Sequence, residues 1–307
     1  DPKKHRIRQE TELKITLLGT GTPAPSLTRQ SSGYLIEIGD DVIVMDHGPG
    51  AAHRLLEAGC HPTKVTHAFI SHMHYDHMMD YPRLLLQRWD IGAGKIPELK
   101  VYGPQPLARI TDRIIGEDSV FGLDIESRVS HQASKDVYVS RGGVLPRQKP
   151  KPEIHEVVPG DVIEGKDWRI TVGEAAHFQP ILDCLGFRME TEAGTLVYSG
   201  DSGGVPDSMI ELARDCDMLI HMCHFASGME PTQGYRDASG NHMDIAEIAR
   251  RANVKTVVLT HFIHLLDQPG VLEQLVTEMK TVFDGNIIIG RDLMELSLNV
   301  KYPHRID

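Results

Sequence analysis

Hydrophobic positions in this chain gather in short runs closed by glycine, proline or a polar residue, a pattern of buried strands more than of long amphipathic helices. Runs at 13–18, 33–38 and 41–45 predict strands, and 65–70 predicts a buried one. Residues 53–58 predict a short helix that Gly59 stops, and 80–89 a helix with Pro82 in its first turn. A strand at 99–102 is closed by Gly103 and Pro104, ahead of a helix at 105–115. The same logic returns later, with strands expected at 154–158, 168–172, 184–190, 195–198, 218–221, 255–260 and 286–289. Helices are expected at 207–213, 243–252 and 270–282. Residues 117–152 follow no period and read as an irregular insertion in a single domain spanning 1–307. Strands and helices mixed in two similar halves predict an α/β protein, a four-layer αββα sandwich.

The chemistry sits where apolar runs end. The run 65–70 leads into Ser71-His72-Met73-His74-Tyr75-Asp76-His77, three imidazoles and a carboxylate in six residues. In an extended segment residues two apart point the same way, so His72 and His74 can converge on one metal while Asp76 and His77 reach a second. Further polar residues come after later strands in the same manner: His177 after 168–172, Asp201 after 195–198 and His261 after 255–260. Seven ligands of this type suit two metals sharing a carboxylate and a water, with zinc or iron favoured by imidazole and carboxylate donors.

On these residues the sequence resembles the metallo-β-lactamase-fold hydrolase superfamily, from Leu13 to about Met294. The family's H-x-H-x-D-H motif is here His72, His74, Asp76 and His77, and its later ligands match His177, Asp201 and His261. The resemblance implies one metal on His72, His74, His177 and Asp201, and a second on Asp76, His77, His261 and Asp201. It also implies two zinc ions per chain, with manganese or iron as alternatives. Within the superfamily the chain is most similar to the ribonuclease Z-like branch, through Leu18-Gly19-Thr20-Gly21, Ser199-Gly200-Asp201 and Leu259-Thr260-His261. That likeness carries an expectation of a homodimer. Two motifs depart from it. The branch's H-E-A-T reads His221-Met222-Cys223-His224 and lacks the glutamate, and H-S-T reads His242-Met243-Asp244.

Composition narrows the reading. A chain of 307 residues, 40% apolar, can bury a substantial core. No apolar run is long enough to span a membrane. The start, Asp1 to Arg6, is basic with no apolar core after it, so no signal peptide is expected, although the chain does not begin with Met. Cys60, Cys184, Cys216 and Cys223 have no paired spacing and suggest buried thiols in the cytoplasm. The 32 basic and 43 acidic residues leave a net charge of −11, whereas nucleic-acid binding usually shows a basic footprint. One basic stretch, 135–151, reads as a proline-stiffened excursion over the surface more readily than as an RNA-gripping arm.

Two metals would lower the pKa of a bridging water and polarise the bond under attack. Asp76 would ligate and orient that water. Asp46, after the run 41–45, would accept a hydrogen bond from a metal-binding histidine. The proton donor is sought among His242, from the altered H-S-T motif, His224, and Tyr75, whose phenol could also stabilise an oxyanion. Cys223 and His221 read as packed groups. Met73, Met78, Met79, Tyr81, Trp89 and Phe225 form a candidate apolar wall. Together with the acidic charge and the missing glutamate, this wall favours a binuclear zinc hydrolase of a small-molecule ester, lactone or amide. The alternative is a ribonuclease Z-type endonuclease acting on tRNA 3′ ends. An iron redox enzyme is disfavoured, because such relatives typically carry glutamate at the place of His74.

Overall fold

The computed structural model describes residues 13–298, so the expectation about a signal peptide in residues 1–6 lies outside them. The first sheet contains β1 (Leu13–Gly19), β2 (Gly33–Ile38), β3 (Asp41–His47), β4 (His67–Phe69), β5 (Lys100–Gly103) and β6 (Glu153–Glu156), side by side in chain order. The second contains β7 (Val162–Glu164), β8 (Trp168–Glu174), β9 (Leu185–Thr191), β10 (Gly194–Tyr198), β11 (Met218–Met222), β12 (Thr256–Thr260) and β13 (Asn286–Ile289). A final strand, β14 (Glu295–Leu296), returns to the first sheet beside β1.

Side-chain alternation explains why these strands stack as two sheets. Ile15, Ile36 and Ile43 face Ile170, Phe187, Met189 and Ile220 across the interior, all buried in one cluster. Their neighbours Leu18, Leu35 and Val44 point the other way, against helices α1 (Ala51–Glu57), α2 (Tyr75–Met78), α3 (Tyr81–Gly92) and α4 (Leu107–Ile115). On the far side, Val197, Leu219, Val257 and Leu259 pack under helices from later in the chain. Two sheets faced by helices on both outer surfaces make the expected αββα arrangement.

The stretch 117–152 is more regular than its sequence predicts. It holds two helices, α5 (Gly122–Ser130) and α6 (Gln132–Ser140), each short and mostly exposed. Their apolar periodicity is too weak to announce them. Helices α7 (Asp207–Ala213), α8 (Gln233–Ala238), α9 (His242–Arg251) and α10 (Val271–Met279) complete the set, and the short β7, α8 and β14 likewise have no counterpart in the sequence pattern.

The basic excursion is anchored. Asp90 of α3 takes Arg147 at 2.7 Å, Arg128 at 3.0 Å and Arg141 at 3.2 Å, while Lys149 pairs with Glu126 at 3.1 Å. The Arg147 guanidinium also stacks on Trp89, 4.2 Å from the ring centroid, and on Tyr138. These cations hold the excursion to the body instead of standing ready for a phosphate backbone. The candidate apolar wall is also dispersed. Tyr81, Met78 and Met73 belong to the outer core, and Trp89 is occupied by Arg147. No helix of the described residues is long and apolar enough to cross a membrane.

Parallel strands set the place for a site. β3, β4, β5 and β6 run parallel, as do β10, β11, β12 and β13, so their carboxyl ends share one edge of each sheet. Ligands in α/β sheets bind in the crevice outside such ends. For the anchored excursion, Asp90→Ala leaves the buried Arg147 charge without its carboxylate. The expected loss is about 3 kcal/mol, the lower end for a broken buried pair, because Arg141 and Arg128 stay in contact with water. Urea unfolding checks the loss, and faster tryptic cleavage between 141 and 151 checks its location.

Candidate metal centre

Asp46 leaves the end of β3 with φ 56°, a left-handed backbone that turns its carboxylate into the space between the sheets. It is fully buried and accepts four hydrogen bonds. Ser71 donates its backbone N–H and its hydroxyl, both at 2.7 Å; His77 donates Nδ1–H at 2.7 Å; Tyr198 donates its phenol at 2.6 Å. The acceptor role read from sequence is therefore occupied, on His77. Sequence reasoning missed Ser71 and Tyr198 as its partners, and only the polar Ser71 at the head of the histidine cluster was a signal.

Those bonds fix imidazole tautomers. His77 Nδ1 carries the proton given to Asp46, which turns the buried Nε2 toward Asp201 Oδ2 at 3.3 Å and Asp76 Oδ2 at 3.4 Å. His72 Nδ1 sits 2.9 Å from the Ser71 hydroxyl, which is already donating to Asp46, so His72 must donate there too. Its Nε2 then faces His74 Nδ1 at 2.9 Å, and His177 Nε2 lies 3.2 Å from the same atom. His177 in turn donates Nδ1–H to the carbonyl of Ala238. Lone pairs converging in this way suit a cation between them.

Asp201 stands at the centre. Its Oδ2 is 3.3 Å from His77 Nε2 and from His261 Nε2, 3.6 Å from His177 Nε2 and 3.9 Å from His72 Nε2. Asp76 Oδ2 lies 3.3 Å from His261 Nε2 and 3.4 Å from His77 Nε2. Two donor groups result: His72, His74, His177 and Asp201, and beside them Asp76, His77 and His261, the atoms within each lying within 4.8 Å of one another. The seven residues singled out from sequence are thus all brought together.

The charges follow from this crowding. Burial would lift the Asp201 carboxyl, but His261 and His77 outweigh it and hold the group well below the usual range. Burial would likewise drag His77 down, yet Asp201 and Asp46 hold it well above an ordinary imidazole. His72 is pushed well below, first by burial and then by His77. Backbone shape makes room for the loop. A Cβ on Gly48 would collide with the Asp76 carbonyl oxygen, and one on Gly200 (φ 59°) with the Leu185 carbonyl oxygen. Only glycine fits either place.

The proposed proton donors fare differently. His242 is fully buried at the start of α9; its Nδ1 accepts from Ser227 N–H at 3.1 Å and its Nε2 donates to Glu278 at 2.6 Å. Both nitrogens are thus engaged, one with the loop at Ser227 and one with Glu278 of α10. The Tyr75 hydroxyl reaches Pro23 O at 3.4 Å, with the ring 53% exposed, which does not aim it at an oxyanion. His224 does adjoin the cluster, with Nδ1 at 3.2 Å from His261 Nδ1, and burial, then His261, lowers it to about 3. Met222, where the resemblance expects glutamate, is buried and takes Ser202 N–H on its sulfur at 3.0 Å. His221 and Cys223 are packed groups, lowered to about 4 and raised to about 12 by burial.

Comparison with known proteins gives this geometry its context. The Beta-lactamase superfamily domain matches residues 41–262. Ribonuclease Z of Mycobacterium bovis (strain BCG / Pasteur 1173P2) is 29% identical over 295 residues, covering 94% of this chain and 99% of its own. Ribonuclease Z of Mycolicibacterium gilvum is 29% identical over 294 residues, covering 94% and 96%. Among solved structures, the metallo-β-lactamase fold protein YhfI from Bacillus subtilis has a TM-score of 0.71 at 22% identity, covering 94% and 99%. Human tRNase Z, short form, has a TM-score of 0.66 at 19% identity, covering 94% and 100%. The full-length ribonuclease Z likeness overturns the preference for a small-molecule ester, lactone or amide and for a small-molecule partner over nucleic acid. Net charge misled because it sums the whole surface, whereas binding depends on local fields. The converging donors account for divalent-metal binding, and with the matched domain they make one assignment: the chain belongs to the β-lactamase superfamily, in its ribonuclease Z-like branch, and is a metal-dependent hydrolase.

Proposed function

We propose that this chain is an endonuclease of the ribonuclease Z type, cutting the phosphodiester bond that joins a tRNA to its 3′ trailer. The observation that carries the reading is the pairing of two adjacent His/Asp donor groups with relatives named ribonuclease Z along 94% of the chain. In this reading His72, His74, His177 and Asp201 would hold one cation, and Asp76, His77 and His261, with Asp201, a second. Zinc is the first candidate, by its affinity for imidazole and carboxylate donors. Two cations held there would supply hydroxide at neutral pH and draw charge from the phosphoryl oxygens.

The chain's own residues provide the rest. Asp46 keeps His77 and, through Ser71, His72 in the tautomers that present Nε2. His224 steadies His261 through the Nδ1 contact. Asp76 Oδ2, beside His261 and His77, is placed to orient a water. Four free, buried cysteines support a reducing compartment, in keeping with work in the cytoplasm.

The deciding assay is cleavage of a tRNA precursor bearing a 3′ trailer by the zinc- or manganese-loaded protein. A single cut beside the discriminator base is expected, and it should vanish in Asp76→Ala. Intact precursor after prolonged incubation, with metal confirmed by mass spectrometry, sinks the endonuclease reading. Asp201→Ala is expected to lose bound metal and activity together, read by metal analysis of the purified protein. Asp46→Asn, which keeps the side chain's shape and one acceptor oxygen, should bind metal about 10- to 100-fold more weakly, as loss of a partner behind metal-binding histidines typically does. Competition against a chelator measures this; unchanged affinity would remove Asp46 from the metal centre.

A further inference from the structure

We propose that Phe178 is a stacking platform for an unpaired base beside the scissile phosphate, which makes single-stranded nucleotides the class of chain the site accepts. This rests on the reading of the protein as an RNA phosphodiesterase.

Nothing in the residue pattern singles out Phe178, but the structure sets it against two of the converging imidazoles. Its ring meets His177 at 4.3 Å between centroids, tilted 61°, and His74 at 5.3 Å, tilted 68°. An edge contact of this kind fixes a ring while leaving part of its surface free, and 41% of Phe178 remains exposed. The turn that carries it is held from both ends. Gln179 accepts from His177 N–H at 2.8 Å, and the N–H groups of Ile181 and Leu182 return to the Phe178 carbonyl at 3.1 and 3.2 Å. Beyond it, Leu185 N–H bonds the Ser71 carbonyl at 2.9 Å. Thus the ring is rigidly located relative to the donor cluster.

Two features point to a base as its occupant. Ile181, three residues on in the same turn, is 87% exposed, so the turn carries a second apolar side chain open to solvent. Tyr75, which directly follows His74, offers another half-exposed ring on the metal loop. An internucleotide phosphate carries a nucleoside on each side, and nucleobases are the flat apolar faces attached to it. Stacking tolerates any base, because each has a π-face, but a paired base inside a duplex cannot present that face. Of the cations in the 135–151 stretch, by contrast, Arg141 and Arg147 are paired with Asp90 and Lys149 with Glu126.

The test uses the metal-loaded protein and a labelled oligoribonucleotide matching a trimmed 3′ end, which leaves nothing to cut. Its binding is followed by fluorescence anisotropy. Phe178→Ala is expected to weaken binding about 5- to 150-fold, the range for losing one stacked base. Phe178→Trp should keep or tighten it. An oligonucleotide abasic at the flanking position should bind the unaltered protein as poorly as Phe178→Ala binds the intact one, with no further loss when both changes are combined. On the trailer substrate the loss should fall on KM more than on kcat. Equal loss for intact and abasic strands, or no loss, overturns stacking, as does failure of the unaltered protein to bind the oligonucleotide. Metal content, measured alongside, tells whether Phe178→Ala acted through His74 and His177. A protein that cuts no precursor yet binds in a base-dependent way keeps the platform and loses the endonuclease; one that cuts normally as Phe178→Ala does the reverse.

Discussion

A carboxylate removed from water is costly unless its lone pairs are filled, and Asp46 fills them with four hydrogen bonds from three residues in two parts of the chain. Ser71 and His77 come from the metal loop of the first sheet's edge, and Tyr198 from β10 of the second sheet. The bond from Tyr198 therefore ties the two sheets at the point where the donors must meet. A second cross-sheet bond, Tyr34 to Thr260 at 3.0 Å, lies beside it, and the two tyrosine rings touch at 4.6 Å. Burial raises both phenols, so they remain donors across the ordinary pH range. Metal-site geometry and sheet packing thus depend on the same buried charge.

Positions of the donors follow from the ends of the fold's strands. His177, Asp201 and His261 each come a few residues after a strand of the second sheet, and the histidine loop comes after β4 of the first. Neither sheet alone holds a complete set. Facing them across one core brings Asp201 Oδ2 within 3.3 Å of both His77 and His261, which lie on opposite sheets. The crowding raises some groups and lowers others, and a multivalent cation relieves it better than any proton could.

Much was legible in the chain because the signals were local. Ile15, Ile36 and Ile43 alternate with residues of the outer face, so the strands could be read from period alone. His72, His74, Asp76 and His77 lie within one loop, and His177, Asp201 and His261 each come after an apolar run. Helices α5 and α6 escaped because their stabilising contacts, Arg147 and Arg128 on Asp90, come from distant sequence and leave no periodic trace. The contacts of His242 were not legible for a related reason. Its motif position suggested chemistry, while its real partner, Glu278, lies 36 residues away on another helix. Basic residues at 135–151 were read as charge without their acids.

The sequence by itself determined the αββα layering and the identity of the seven donor residues, since both are written in strand period and in ligand type at strand ends. Tertiary structure decided which nitrogen His72, His77 and His177 turn toward the cluster, and which basic residues are already paired. Those are properties of atoms brought together from remote positions, and a chain read in one dimension carries residue types but not their distances. Phe178 marks the boundary: as a letter it is one more apolar residue, and only its contact with His74 and His177 gives it a place beside the chemistry.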